Sequence, residues 1–103
     1  TSYLHWHAEE DEMVLLLSGA LTLFEAEDRS ILGPGDAACW KAGVPTAHRM
    51  YNHTDTPARY LVIGTRAVAD RVTYPEEDRV LHLDRSAGTR RFTTLSGDPA
   101  DAL

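Results

Sequence analysis

Two histidines one residue apart, His5 and His7, precede a carboxylate at Glu12 and a glycine at Gly19. Far along the chain an isolated third histidine, His48, stands four residues before Asn52. Side chains alternate across a β-strand, so imidazoles at i and i+2 share one face. Their Cα atoms are then roughly 6.5 Å apart, two strand rises. That lets two ring nitrogens converge on one ion at about 2.0–2.1 Å. A carboxylate and a third imidazole complete a four-ligand set with room left for water or a substrate. These residue types support one divalent metal ion held by His5, His7, Glu12 and His48 inside a small β-barrel.

The strands needed to hold such a site are legible as short apolar runs between turn residues. Residues 4–7 read as a short strand, and 8–11 as an acidic connection. Residues 13–17 form a continuous apolar run, which reads as a buried strand. Ser18-Gly19 is a turn signal, leading into 20–24 as the return strand of a hairpin. After a charged turn over 25–29, residues 30–32, 37–40, 47–51 and 59–63 supply further strands. Gly33-Pro34-Gly35-Asp36, Ala42-Gly43-Val44-Pro45 and a polar loop over 52–57 separate them, with residues chosen for positive or fixed φ. Turns recur at the spacing of an all-β sandwich or barrel, and no helical periodicity rises above background. From residue 67 the pattern weakens. Residues 72–75 and 80–83 read as short strands, with Pro75 confining the first to a sheet edge, and 90–94 as a last strand. No repeat or linker splits the chain, so one domain is expected, with a core over 3–66 and a C-terminal extension over 67–103.

Alternation assigns provisional faces. Val14, Leu16, Leu21, Leu23 and Tyr60 are candidates for an apolar pocket wall. Met50 and Asn52 share the face of His48, Trp6 points away from the two histidines it separates, and Trp40 and Phe24 are expected in the core. Tyr51, Tyr60 and Asn52 are candidates to orient a polar ligand. His53 and His82 fit no spacing and read as surface residues.

Composition narrows the classes of partner. The 103 residues carry a formal charge of −6, from 16 acidic and 10 basic residues, and Lys41 is the sole lysine. A nucleic-acid interface would need a concentrated basic face, so none is expected. No apolar run approaches the roughly 18–20 residues of a membrane span, and no signal peptide opens the sequence. The single cysteine, Cys39, allows no internal disulfide and reads as a small buried residue, in keeping with a cytoplasmic setting. The sequence opens with Thr1-Ser2 and no Met, as though inside a strand, so it reads either as a processed or truncated piece or as one with upstream strands left out.

The spaced residues resemble the two motifs of the cupin superfamily. His5-x-His7, four residues, Glu12, six residues, Gly19 is similar to motif one, whose leading glycine would precede Thr1. Among the neighbouring acids only Glu12 has the six-residue step to Gly19; Glu9, Glu10 and Asp11 read as a solvated loop. Gly35, five residues, Lys41-Ala42-Gly43, four residues, His48, three residues, Asn52 is similar to motif two, with Lys41 where the motif has proline. The two motifs cover residues 4–52. The tail, with Val72-Thr73-Tyr74-Pro75-Glu76-Glu77-Asp78 and Arg90-Arg91-Phe92-Thr93, resembles the C-terminal extension of a group of small bacterial single-domain cupins. Proteins of that group are sometimes described loosely as sugar-phosphate isomerase-like.

The resemblance implies an all-β cupin-type barrel (a double-stranded β-helix, or jelly roll) and a metal site on His5, His7, Glu12 and His48. A homodimer is expected, because a barrel lacking its leading strands leaves an edge to be covered. Mn, Fe, Ni and Zn all suit three imidazoles and a carboxylate. Such an ion acts as a Lewis acid, lowers the pKa of bound water or, as iron, binds dioxygen. A small metal-dependent oxygenase, isomerase or decarboxylase acting on an organic acid, sugar or aromatic compound is one functional reading. A non-catalytic small-molecule-binding or sensing barrel is the other, and a metal-free barrel with histidines kept for packing is a third. The sequence identifies no catalytic base, since beyond Glu12 no carboxylate is assigned inward.

Overall fold

The computed structural model describes residues 3–103. Thr1 and Ser2, where the chain was expected to enter a strand, lie outside the described residues. Ten strands run in chain order: β1 Trp6–His7, β2 Glu12–Ser18, β3 Leu21–Glu25, β4 Asp28–Leu32, β5 Ala37–Trp40, β6 His48–Tyr51, β7 Arg59–Gly64, β8 Ala69–Tyr74, β9 Arg79–Asp84 and β10 Thr89–Thr93. All their pairings are antiparallel, in sheets ordered β5-β2-β7, β4-β3-β6 and β1-β8-β9-β10. No helix of the described residues is long and apolar enough to cross a membrane.

The two three-stranded sheets face one another across a core of Leu16, Leu21, Leu23 and Leu32, with Ala38, Trp40, Met50 and Ala58 packed against it. Alternation decides which side chains enter. On β2, Val14 and Leu16 are buried and Leu17 is exposed. The apolar run over 13–17 is therefore buried on one face only, although it reads as continuous. The register Glu12↔Trp40 and Val14↔Ala38 keeps these four on the inner face of β2 and β5, while Met13↔Cys39 faces out. Cys39 is thus exposed, not buried as expected. Phe24 also faces out: its cross-strand neighbours Arg29 and Arg49 place their guanidinium carbons 5.4 and 4.5 Å from its ring centroid.

The expected hairpin at Ser18-Gly19 is an arch between layers. β2 and β3 lie in different sheets, and Leu16 and Leu21 meet across the core rather than along a ladder. Gly19 makes the crossing possible. It has φ +82°, and a Cβ there would lie 2.8 Å from the Pro57 carbonyl oxygen and 2.9 Å from the Ala58 Cα. The sequence signal marked the turn correctly but said nothing of which sheet receives the next strand.

The C-terminal segment is also better ordered into the fold than its weak pattern implied. β8, β9 and β10 form a meander, and β8 pairs with β1 on its other side. Pro75 lies just past β8, so the strand is interior and not an edge. An isolated bridge between His5 and His48 then ties this sheet to β6. By contrast, among the described residues β7 pairs only with β2, and Tyr60, Leu61, Val62 and Ile63 are all exposed, giving an open apolar edge. Tyr60 accordingly does not serve as an enclosed pocket wall.

Gly19→Ala should combine an unfavourable left-handed φ with collisions against rigid backbone. It is expected to lower stability in urea unfolding by more than about 1 kcal/mol. Gly88→Ala is the comparison, because its φ of +67° is similar but its Cβ would meet open space. Equal losses in the two variants would show that the close approach is unimportant.

Candidate metal centre

His5 and His7 share a face at the start of the chain, Glu12 opens β2, and His48 opens β6. Three separate backbone segments must therefore meet. The His5–His48 bridge does this directly: His5 N donates to His48 O (3.1 Å) and His48 N donates to His5 O (2.9 Å). Gly43, at φ +80°, turns the β5–β6 loop so that its N–H reaches the His7 carbonyl at 3.0 Å.

The side chains converge on the Glu12 carboxylate. His48 Nε2 lies 2.6 Å and His5 Nε2 4.0 Å from Glu12 Oε1, and His7 Nε2 lies 3.7 Å from Oε2. Ligand atoms of His5, Glu12 and His48 all fall within 4.8 Å of one another. His7 stands at the border of this group: its other nitrogen, Nδ1, belongs to a second cluster with Glu10 and Asp70. The four residues singled out by spacing thus face one another around a single carboxylate.

The outer nitrogens define the inner ones. His5 Nδ1 lies 2.7 Å from the Tyr3 carbonyl oxygen, and His7 Nδ1 lies 2.7 Å from Asp70 Oδ2. A carbonyl and a carboxylate only accept, so each Nδ1 donates. In the neutral rings each Nε2 then presents a lone pair toward Glu12. His48 differs, since its Nδ1 is buried with no hydrogen-bond partner. Its Nε2 and the Glu12 oxygen are both acceptors unless a proton or a cation lies between them. Trp40 holds this ring in place by parallel stacking, at 3.6 Å between centroids and 9° between planes.

This donor set fits a divalent cation. It offers imidazole nitrogens, a carboxylate and a partly buried site bordered by packed rings. Burial pushes the His5 imidazole below its ordinary 6.5, against the opposing effect of the Tyr3 carbonyl. For Glu12, burial alone would raise its pKa; the His48 hydrogen bond and the nearby imidazoles outweigh it and hold the carboxyl below its ordinary 4.5. Both shifts favour the ligating forms, neutral imidazole and carboxylate.

Two residues near the centre escaped the sequence reading. Asp70 is buried on β8 and bound to His7, and Tyr74 places its ring 5.9 Å from that of His5. Burial raises the Tyr74 phenol above its ordinary 10.0, so it stays protonated. The available signal was alternation: buried Val72 lies between Asp70 and Tyr74 at two-residue steps, which puts a carboxylate and a phenol on an inward face. Asn52 was expected to look inward but braces a loop instead. Its Nδ2 donates to the Thr56 carbonyl and its Oδ1 accepts from Thr54. Arg49 caps Phe24 outside the barrel. Both Tyr51 and Tyr60 are exposed. His53 is exposed and His82 half-buried, and each contacts a threonine hydroxyl. A cleft of about 530 Å³ is lined by Glu12, Met13, Cys39, Trp40, Lys41 and Ile63, among others. It lies within the usual volume range of small-molecule sites.

The metal-free protein should lose stability on acidification in two stages. The folded state resists protonating His5, whereas the unfolded chain accepts that proton near 6.5, so stability falls as pH drops below about 6.5. Glu12 stabilises the fold above its ordinary 4.5, and that contribution is lost as pH falls through its lower folded value. Thermal unfolding of the chelator-treated protein between pH 8 and pH 3 measures this. A melting temperature independent of pH across 7 to 5 would contradict the His5 assignment.

Comparison with known proteins bears on the family and the fold. Residues 1–64 match the cupin domain family. A crystal structure of a sugar phosphate isomerase from a cupin superfamily, from Silicibacter pomeroyi, is similar with 37% identity and a TM-score of 0.90. The similarity covers 99% of this chain and 64% of that one. A protein from Acidithiobacillus ferrooxidans, named as a candidate sugar phosphate isomerase, is similar with 28% identity and a TM-score of 0.83, over 98% of this chain and 63% of that one. The chain therefore spans slightly less than two thirds of the length of these two structures. No curated protein matches it. With its all-β jelly-roll architecture and its family match over more than half its length, the chain belongs to the cupin domain family.

Proposed function

We propose that His5, His7, Glu12 and His48 hold one divalent metal ion, and that the protein is a metal-dependent isomerase-type enzyme acting on a polar small molecule. The observation that carries the metal reading is the disposition of three imidazole Nε2 atoms, at 2.6, 3.7 and 4.0 Å, about the two oxygens of one carboxylate. When bound, the ion supplies Lewis-acid polarisation of a substrate carbonyl or hydroxyl oxygen. The protein's part is to hold the three rings fixed, through Tyr3 O, Asp70 and the Trp40 stack. Tyr74, beside His5, keeps its proton and is a donor for a polar substrate group. Among oxygenase, isomerase and decarboxylase chemistry, the names of the two similar structures favour isomerase, with a sugar phosphate as the first substrate class to assay.

A second reading is a non-catalytic small-molecule binder using the same centre. It is favoured by the engagement of the carboxylates around it: Glu10 pairs with Arg85, and both Asp70 oxygens accept hydrogen bonds. Neither residue is free to shuttle a substrate proton, which leaves Glu12 and Tyr74.

Protein purified without a histidine tag is expected to contain about one divalent ion per chain by elemental analysis. His48→Ala and His7→Ala should fall to background while keeping their strand signal by circular dichroism, since the leucine core does not depend on these rings. Equal metal content in wild type and both variants rejects the metal centre. With metal content established, turnover of a panel of aldose and ketose phosphates separates the two readings. Tight binding without turnover, and without oxygen consumption, selects the binder.

A further inference from the structure

The His7 ring is held by a group outside the first half of the chain. Asp70 is 2% exposed, and both its oxygens are occupied: Oδ2 by His7 Nδ1 at 2.7 Å, and Oδ1 by the Glu9 N–H at 2.8 Å. The backbone fixes this contact from both sides. β8 runs antiparallel to β1 with His7 opposite Val72, and the Ala8 N–H reaches the Arg71 carbonyl at 2.9 Å. Glu10 lies on the same side, its Oε2 3.7 Å from His7 Nδ1 and its Oε1 2.9 Å from Arg85 Nη1. The arginine neutralises that second buried carboxylate, so Asp70 is left as the acceptor for the imidazole proton.

We propose that Asp70 is a positioning residue for the centre: it holds His7 as the Nδ1–H tautomer and aims Nε2 at Glu12. The inference rests on the metal reading above. An imidazole carries one proton when neutral, and the carboxylate that accepts it decides which nitrogen is left with a lone pair. A ligating histidine whose other ring nitrogen donates to a carboxylate also gains basicity and a fixed orientation. The segment that supplies Asp70 lies beyond the 1–64 stretch matched by the family, so the C-terminal sheet carries part of the site. His7, Glu10 and Asp70 also have the composition of an ion site of their own. Both Asp70 oxygens are already taken, by the Glu9 N–H and His7 itself, and Glu10 Oε1 pairs with Arg85, which argues for orientation and against ligation.

The test measures Co²⁺ binding to the metal-free protein by competition with a chelating dye, together with the visible Co²⁺ spectrum and the ¹⁵N signals of His7. Asp70→Ala is expected to weaken Co²⁺ binding by about 10- to 100-fold and to alter the spectrum. Asp70→Asn fits the same space and still offers one carbonyl oxygen. With its oxygen kept on the Glu9 N–H, it turns its amide N–H₂ donor to His7 Nδ1, so the His7 signals should move toward the Nε2–H tautomer. The isosteric variant carries the test should the alanine variant fail to fold. Asp84→Asn removes a carboxylate from the same sheet and should bind Co²⁺ as wild type does. An unchanged His7 tautomer with unchanged affinity in Asp70→Asn overturns the inference and leaves the metal centre standing. A wild type that binds no Co²⁺ removes the metal centre itself, and the inference with it. Two ions per wild-type chain, falling to one in Asp70→Ala, would make Asp70 a ligand and overturn the positioning role.

Discussion

The structure is organised by the 2.6 Å contact between His48 and Glu12. These residues open strands of two different sheets, so the contact is a polar link between the halves of the barrel, set against an apolar core built around four leucines. Even a half-buried carboxylate is costly unless its charge is matched and its lone pairs are used. Here three imidazoles surround it, and burial keeps at least His5 from taking up a proton easily. Neutral rings around an anion leave a net negative charge inside the barrel. A proton offsets that charge through His48; a divalent cation offsets it with charge to spare. The packing around His48, with Trp40 stacked on one side and Nδ1 left without a partner, fixes the ring for either occupant.

Much of the first half was legible from residue spacing because the rules there are local. His5 and His7 share a face through strand alternation alone. Gly43 and Gly19 marked turns that do need positive φ. The strands over 37–40 and 59–63 stood out between their breakers, and the structure assigns β5 and β7 to the same places. What failed were readings that depend on which sheet a strand joins. The run 13–17 followed by Ser18-Gly19 has the local appearance of a hairpin, and no local property distinguishes a hairpin from an arch. Cys39 is apolar by type and exposed by register, because β5 gives its inner face to Ala38 and Trp40. Phe24 lies outside for the same reason. Asp70 is hardest of all, since its partner is 63 residues away and its neighbours are weakly patterned.

Family membership fixes the architecture, and it leaves the chemistry to the site, because one fold hosts many unrelated reactions. The donor set is consistent with several ions, since affinity along the first-row divalent series follows the metal as much as the protein. The histidines of this chain are buttressed from outside the centre. Each imidazole is restrained on its far side by a different device: a backbone carbonyl for His5, a buried carboxylate for His7 and an indole face for His48. Rings restrained in this way lose little freedom when they ligate, so affinity does not have to be spent on ordering them.

The stacked Trp40–His48 pair has an optical consequence. The chain contains two tryptophans, and they sit in contrasting places. Trp40 is in van der Waals contact with a ring of the centre, whereas Trp6 pairs with Thr73 on the opposite side of its strand from the two histidines. A paramagnetic ion on His48 would lie against Trp40 and farther from Trp6, so the two chromophores would be quenched unequally. Fluorescence emission therefore reads occupancy of the centre on the unlabelled protein, with a Trp40→Phe variant to assign the signal.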